Sequence, residues 1–207
     1  MRKLLSSLVI LALAAVPASA NLLTDGTFEI GDTTGPGDWH DYLAGNTMGA
    51  WDVVTNDVML FGTDAGGTTW AGTSVVGDEH PNLGSGYASG MIEQSFATTP
   101  GQLYELSYWA REYPGTKTTT GEVWIRVYNG SGDDLNVTGT YDRDWGQSTY
   151  QFTATEAIST LEFQNAGWDG ANAPDGVSLD DVQVVLVPEP ASLCLLGLGG
   201  LLLRRKR

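Results

Sequence analysis

Cysteine is almost missing from this chain. Of 207 residues only Cys194 is a cysteine, and it lies in a hydrophobic stretch near the C-terminus. A cysteine-based zinc or redox site is thereby excluded from the body of the protein. So is the disulfide framework on which many small extracellular domains depend. Histidine is scarce as well, with only His40 and His80, too few for a zinc site of three histidines. Bases are sparse between residues 21 and 187: Arg111, Lys117, Arg126 and Arg143 stand against 24 acids, a net charge of −20. Such a field repels nucleic acid and anionic lipid, so no nucleic-acid partner is expected. It favours neutral or cationic partners, Ca²⁺ among them, because that ion takes carboxylate oxygens. No G-x-S-x-G or H-E-x-x-H motif occurs, and no sequence motif singles out a pair of catalytic carboxylates.

What is present begins at the two ends. Arg2 and Lys3 precede an apolar stretch over 4–16 and the small-residue site Ala18-Ser19-Ala20. That order predicts a secretory signal peptide over 1–20, cleaved after Ala20. At the other end Val187-Pro188-Glu189-Pro190 is followed by thirteen mostly apolar residues, 191–203, and then Arg204-Arg205-Lys206-Arg207. A helix of that length reaches only about 20 Å, against a hydrocarbon core of ~30 Å. Gly197, Gly199 and Gly200 weaken it further. Such a stub can lodge in a membrane transiently, its trailing bases held at the cytoplasmic face. Pro188 and Pro190 keep the chain before it extended and accessible. The alternative is a permanent single-helix anchor; the two differ in whether the mature protein keeps residues beyond Pro190.

Between the ends lies enough chain for one domain with a sizeable core. Its 27 glycines in the whole sequence, seven Trp and eight Tyr fit a turn-rich aromatic β-protein. Short apolar runs separated by Gly, Asn, Asp and Pro predict strands over 51–61, 86–96, 103–112, 122–128, 148–154, 160–164 and 177–187. In Glu122-Val-Trp-Ile-Arg-Val-Tyr128, the residues Val123, Ile125 and Val127 alternate with Trp124, Arg126 and Tyr128, so the two sets face opposite sides. Residues 63–82 read as a long polar surface loop carrying His80, and 113–121 as another.

Two segments resemble known families. The tail is similar to a PEP-CTERM sorting signal over 188–207, with motif, spacer and basic end in order. That resemblance implies recognition by an exosortase, a membrane-embedded cysteine transpeptidase, cleavage near Pro188-Glu189-Pro190, and release or transfer to the surface of a Gram-negative-type bacterium. The segment 21–187 resembles the galactose-binding-like jelly rolls, among them several families of carbohydrate-binding module. The resemblance rests on Asn21-Leu22-Leu23-Thr24-Asp25-Gly26-Thr27-Phe28-Glu29, on Ile92 to Phe96 with Thr99-Pro100-Gly101 and Tyr104 to Ala110, and on Val177 to Val184. It implies an all-β fold, a single antiparallel β-sandwich (jelly roll), flanked by the signal peptide and a short C-terminal hydrophobic sorting helix.

The resemblance also implies that the first and last strands are neighbours. Glu29 and the Asp180-Asp181 pair would then meet, with Asp25 and nearby carbonyls completing an oxygen cage for a structural Ca²⁺. Which aspartate is the ligand stays open. Aromatic rings that stack on sugars, beside polar groups that bind hydroxyls, make Trp70, Trp124, Arg126, Tyr128, Trp145 and Trp168 the candidate ligand-binding residues. The glycine and aspartate flanks put Trp70, Trp145 and Trp168 first. The functional expectation is a secreted cell-surface or matrix protein that binds extracellular polysaccharide without catalysis. The alternatives are a purely structural matrix protein and a small secreted glycan-active enzyme.

Overall fold

The computed structural model describes residues 20–30, 39–62, 73–84, 89–112, 121–166 and 176–188. These belong, up to Val187, to one compact unit, Ala20–Val187. The signal peptide, Trp70, Trp168, the tail beyond Pro188 and most of the 113–121 loop lie outside the described residues.

Twelve strands are described: β1 Trp39–Leu43, β2 Thr47–Met48, β3 Trp51–Thr55, β4 Asp57–Gly62, β5 Glu79–Asn82, β6 Met91–Ala97, β7 Leu103–Glu112, β8 Gly121–Asn129, β9 Gly132–Tyr141, β10 Gly146–Thr153, β11 Ile158–Asn165 and β12 Val177–Leu186. They form two six-stranded sheets, β1-β4-β5-β12-β7-β10 and β2-β3-β6-β11-β8-β9. Every pairing is antiparallel. After β9 the chain changes sheet at each connection as far as β12, which is the crossing pattern of a jelly-roll sandwich.

The period-2 pattern decides which side of each strand is buried. Val123, Ile125 and Val127 of β8 are fully buried, with Leu161 and Phe163 of β11 and Ile92 of β6 beside them. Tyr104, Leu106, Tyr108 and Ala110 of β7 and Leu179 and Val184 of β12 belong to the same core cluster from the other sheet. Trp51 is completely buried, its ring 5.4 Å from that of Phe28 and 6.3 Å from that of Phe163.

The N-terminal segment docks onto the last strand, as expected of the first and last elements. Leu22 N–H donates to the Val184 carbonyl and Val182 N–H to the Gly26 carbonyl. Asn21 clamps the pair from its side chain, donating to the Val182 carbonyl and accepting from Val184 N–H. Gly26 is required here, because a Cβ at that position would collide with the Val182 carbonyl.

Three expectations are corrected. The run 51–61 is two strands, because Asn56 adopts φ +54 and sends β3 and β4 into different sheets. The end of the 63–82 loop is the buried strand β5, and His80 within it has no exposed surface. The strand β9, absent from the strands expected from sequence, follows a tight turn at Gly130 and Ser131. Its mixture of Asp, Asn and Thr hides an edge strand, whose outer face needs no apolar residue.

Candidate functional site

The outer face of the second sheet carries a platform of polar and aromatic side chains in three rows. Cross-strand register sets them. One row is Met91 (β6), Gln164 (β11), Trp124 (β8) and Thr138 (β9). The middle row is Asp52 (β3), Glu93, Glu162, Arg126 and Asn136. The third is Ser95, Thr160, Tyr128 and Asp133. Alternation forces all of them outward, since their chain neighbours Ile92, Leu161, Phe163, Val123, Ile125 and Val127 fill the core.

Hydrogen bonds hold the platform in place. The Trp124 indole N–H donates to Asn136 Oδ1 at 2.6 Å. Arg126 Nε donates to Asp133 Oδ1 at 2.7 Å, while its guanidinium lies 4.4 Å from the centre of the Tyr128 ring. That bond raises the Arg126 pKa and lowers that of Asp133. Tyr128 donates its hydroxyl to Glu93 Oε2 at 2.7 Å. Burial first, and then the Glu93 bond, push the phenol up to about 12. Glu162 is 6% exposed, and burial raises its carboxyl above the usual carboxylate range. Beside Trp124 a groove of about 460 Å³ opens, lined by Trp124, Thr138, Gln164, Ser89, Asn165 and Ala166. Ser89 donates to the Asn165 carbonyl and so fixes the groove wall.

Of the predicted ligand-binding residues, Trp124, Arg126 and Tyr128 come together here. Trp70 and Trp168 lie outside the described residues. Trp145 lies apart from Trp124, Arg126 and Tyr128. It is part of a packed cluster against the first sheet, where its indole donates to the Thr73 carbonyl at 2.8 Å. The Arg111 guanidinium lies 4.5 Å from its ring centre, and His80 makes an edge contact at 5.6 Å. The residue is half-buried in this cluster. Sequence reasoning missed Glu93, Glu162, Gln164, Asn136 and Thr138. Alternation along β6, β11 and β9 turns them outward, but only the register aligns them with Trp124 and Arg126.

The four residues expected to hold calcium are placed as follows. Asp180 is fully buried, and its Oδ2 accepts from Val75 N–H at 2.6 Å and Val76 N–H at 2.9 Å. Its Oδ1 accepts from Asp181 N–H. Glu29 Oε1 accepts from Asp78 N–H and Glu79 N–H. The two carboxylates thus meet on one short segment, 75–79, from its opposite ends. Asp25, at φ +56, accepts from Ile30 N–H. A bulge between Asp180 and Gln183, with Asp181 at φ +46, turns Asp181 toward Gln183, whose amide donates to it. Burial raises the pKa of Asp25, and that of Asp180 to about 6. Among the described residues no group of three or more His, Cys, Asp or Glu is arranged to hold a metal ion. The oxygen donors suit a hard cation, while in this arrangement backbone amides meet their charge.

His80 Nδ1 lies 3.1 Å from Ser74 Oγ, and its Nε2 lies 3.3 Å from Arg111 Nη2. An arginine only donates, so Nε2 accepts and Nδ1 carries the proton toward Ser74. In that tautomer the ring cannot take a proton from the serine through Nδ1.

A family model described as "Protein of unknown function (DUF642)" matches residues 21–184. A second, described as "PEP-CTERM protein-sorting motif", matches residues 186–207. No curated protein matches the chain. Among solved structures, an arabinose-bound MgGH51 α-L-arabinofuranosidase is similar at 12% identity and TM-score 0.52, over 81% of this chain and 26% of that one. TmCBM61 in complex with beta-1,4-galactotriose is similar at 16% identity and TM-score 0.49, over 82% of this chain and 100% of that one. The CBM22-1 xylan-binding domain from Paenibacillus barcinonensis Xyn10C is similar at 16% identity and TM-score 0.47, over 76% and 100%.

Proposed function

The chain belongs to the DUF642 family and ends in a PEP-CTERM sorting motif, and from that premise we propose that it is a surface or matrix protein that binds extracellular polysaccharide without catalysis. The sorting motif implies an exported, exosortase-processed protein. The carbohydrate reading rests on one observation, the outer face of β6, β11, β8 and β9. There an indole borders an open groove and is flanked by amides, hydroxyls and carboxylates in register. An aromatic ring stacks on the apolar face of a pyranose, and the polar neighbours bind its hydroxyls. Tyr128 contributes less as a platform, because Arg126 already lies over its ring.

The test is affinity electrophoresis of the full chain in gels containing soluble polysaccharides. Trp124→Ala is expected to abolish retardation with an unchanged melting temperature, because the side chain packs outside the core. Retardation that survives this change removes the site. The non-catalytic part is checked by product analysis over the same polysaccharides, and turnover would replace it with a glycan-active enzyme.

Structural calcium is a second reading. It is favoured by the convergence of Glu29 and Asp180 on 75–79 and by the desolvation of Asp25 and Asp180. To hold the ion, Glu29, Asp180 and Asp25 would have to leave the backbone amides that meet their charge and draw together, since they form no metal-holding group as they stand. Bound there, it would neutralise buried carboxylates and tie the N-terminal segment to β12.

A further inference from the structure

We propose that the platform on the second sheet selects a glycan carrying free amino groups, in preference to neutral or acidic polysaccharide; this rests on the glycan-binding reading above.

The middle row decides it. Across four adjacent strands stand Asp52, Glu93, Glu162 and Arg126, three acids and then one base. Neighbouring strands lie about 4.8 Å apart, so the three carboxylates line one track. Arg126 offsets only part of this charge: its field lowers the Glu162 pKa, but its Nε is bonded to Asp133 on the far side and its guanidinium lies over Tyr128. Glu93 receives the Tyr128 hydroxyl, a neutral donor.

Glu162 is the second, independent sign of a ligand. It is 94% buried by its neighbours, since only 6% of its surface is exposed. It accepts no hydrogen bond from any described residue. Its strand neighbours Leu161 and Phe163 point into the core, so its carboxyl points out into the platform, next to Gln164 on the groove wall. A carboxylate so largely buried, with no donor and only the field of Arg126 beside it, gains from a cation or donor at its open edge.

A sugar ammonium supplies both a charge and three N–H donors. With the ring stacked against Trp124, the amino group has an acceptor track one row away. Acidic sugars meet like charge from Asp52, Glu93 and Glu162, and the charge of the whole region points the same way. N-acetylation removes the charge and adds bulk, so the acetylated sugar loses the ion pair.

Isothermal titration of the full chain with a glucosamine tetramer and with its N-acetylated counterpart tests this, at about 150 mM salt. The free-amine tetramer is expected to bind at least about tenfold more tightly, the scale of one charge-assisted hydrogen bond. Glu162→Gln keeps the shape and should erase the preference while binding of the acetylated tetramer persists. Glu156→Gln, an exposed acid away from the platform, should leave the preference intact. Equal affinity for the two tetramers, both lost in Trp124→Ala, would overturn the amine preference and leave the glycan site standing. A preference that survives Glu162→Gln would also overturn it, as attraction to overall charge. Absence of binding to either tetramer and to neutral glucan and xylan oligomers would sink the site and the preference together.

Discussion

Asp180 shows how one residue can report which chemistry holds the molecule together. Its side chain has no exposed surface, and its pKa is raised from the ordinary 3.8 to about 6, chiefly by desolvation. The folded protein therefore binds this proton more tightly than the unfolded chain. The stability it contributes is fully present below the unfolded pKa and is lost as pH rises through 6. About two pKa units correspond to about 3 kcal/mol. In chelator, the melting temperature is expected to rise as pH falls from 8 to 5. Asp180→Asn should flatten that slope, and a variant with the same slope as the parent would refute the assignment. Calcium reverses the sign, because a bound cation favours the ionised form. Excess Ca²⁺ should then raise the melting temperature near pH 7.5 and lose its effect below 6. An identical melt in EDTA and in Ca²⁺ at pH 7.5 would eliminate the calcium reading.

At the scale of elements, the break at Asn56 matters most. One apolar run becomes β3 in one sheet and β4 in the other because this residue sits at φ +54. Its side chain donates to the Ser89 carbonyl at 2.7 Å, and its carbonyl accepts from Ala44 N–H. Asparagine tolerates that backbone conformation and valine does not. Asn56→Val is expected to destabilise by about 1–3 kcal/mol, read as a lower urea midpoint. Asn56→Gly should cost less, since it removes the side-chain bond but not the backbone freedom. Equal losses for the two would show that conformation is not what Asn56 supplies.

At the scale of the whole domain, the unit Ala20–Val187 is a sandwich whose two outer faces differ. The first sheet covers its buried polar residues, Glu79, His80, Arg111 and Asp180, with the 73–79 segment and Trp145. The second sheet carries its polar rows beside the groove at Trp124. Stability rests on a core shared by both sheets, without a disulfide, under a net charge of −20 over residues 21–187. Self-repulsion on that scale is screened by salt. Added monovalent salt should therefore raise the melting temperature, and a flat response would mean the charges are too dispersed to matter.

Much of this was legible from sequence. Alternation in Val123 to Tyr128 assigned the inward and outward sets of β8, because a strand has only two faces. The excess of acids fixed the sign of the field, because charge simply adds. The scarcity of cysteine and histidine excluded whole classes of metal chemistry. The sorting motif was readable because it is a local string. What the tertiary structure alone decided was which outward residues share a row. Glu93 and Glu162 lie 69 positions apart in sequence and face each other only through the register of β6 and β11. The Asp144 and Gly146 flanks put Trp145 ahead of Trp124 in the sequence, yet Arg111 and His80 pack against the Trp145 ring. Local pattern sets the direction in which a side chain points; long-range pairing sets what it meets there, and that is where the site arises.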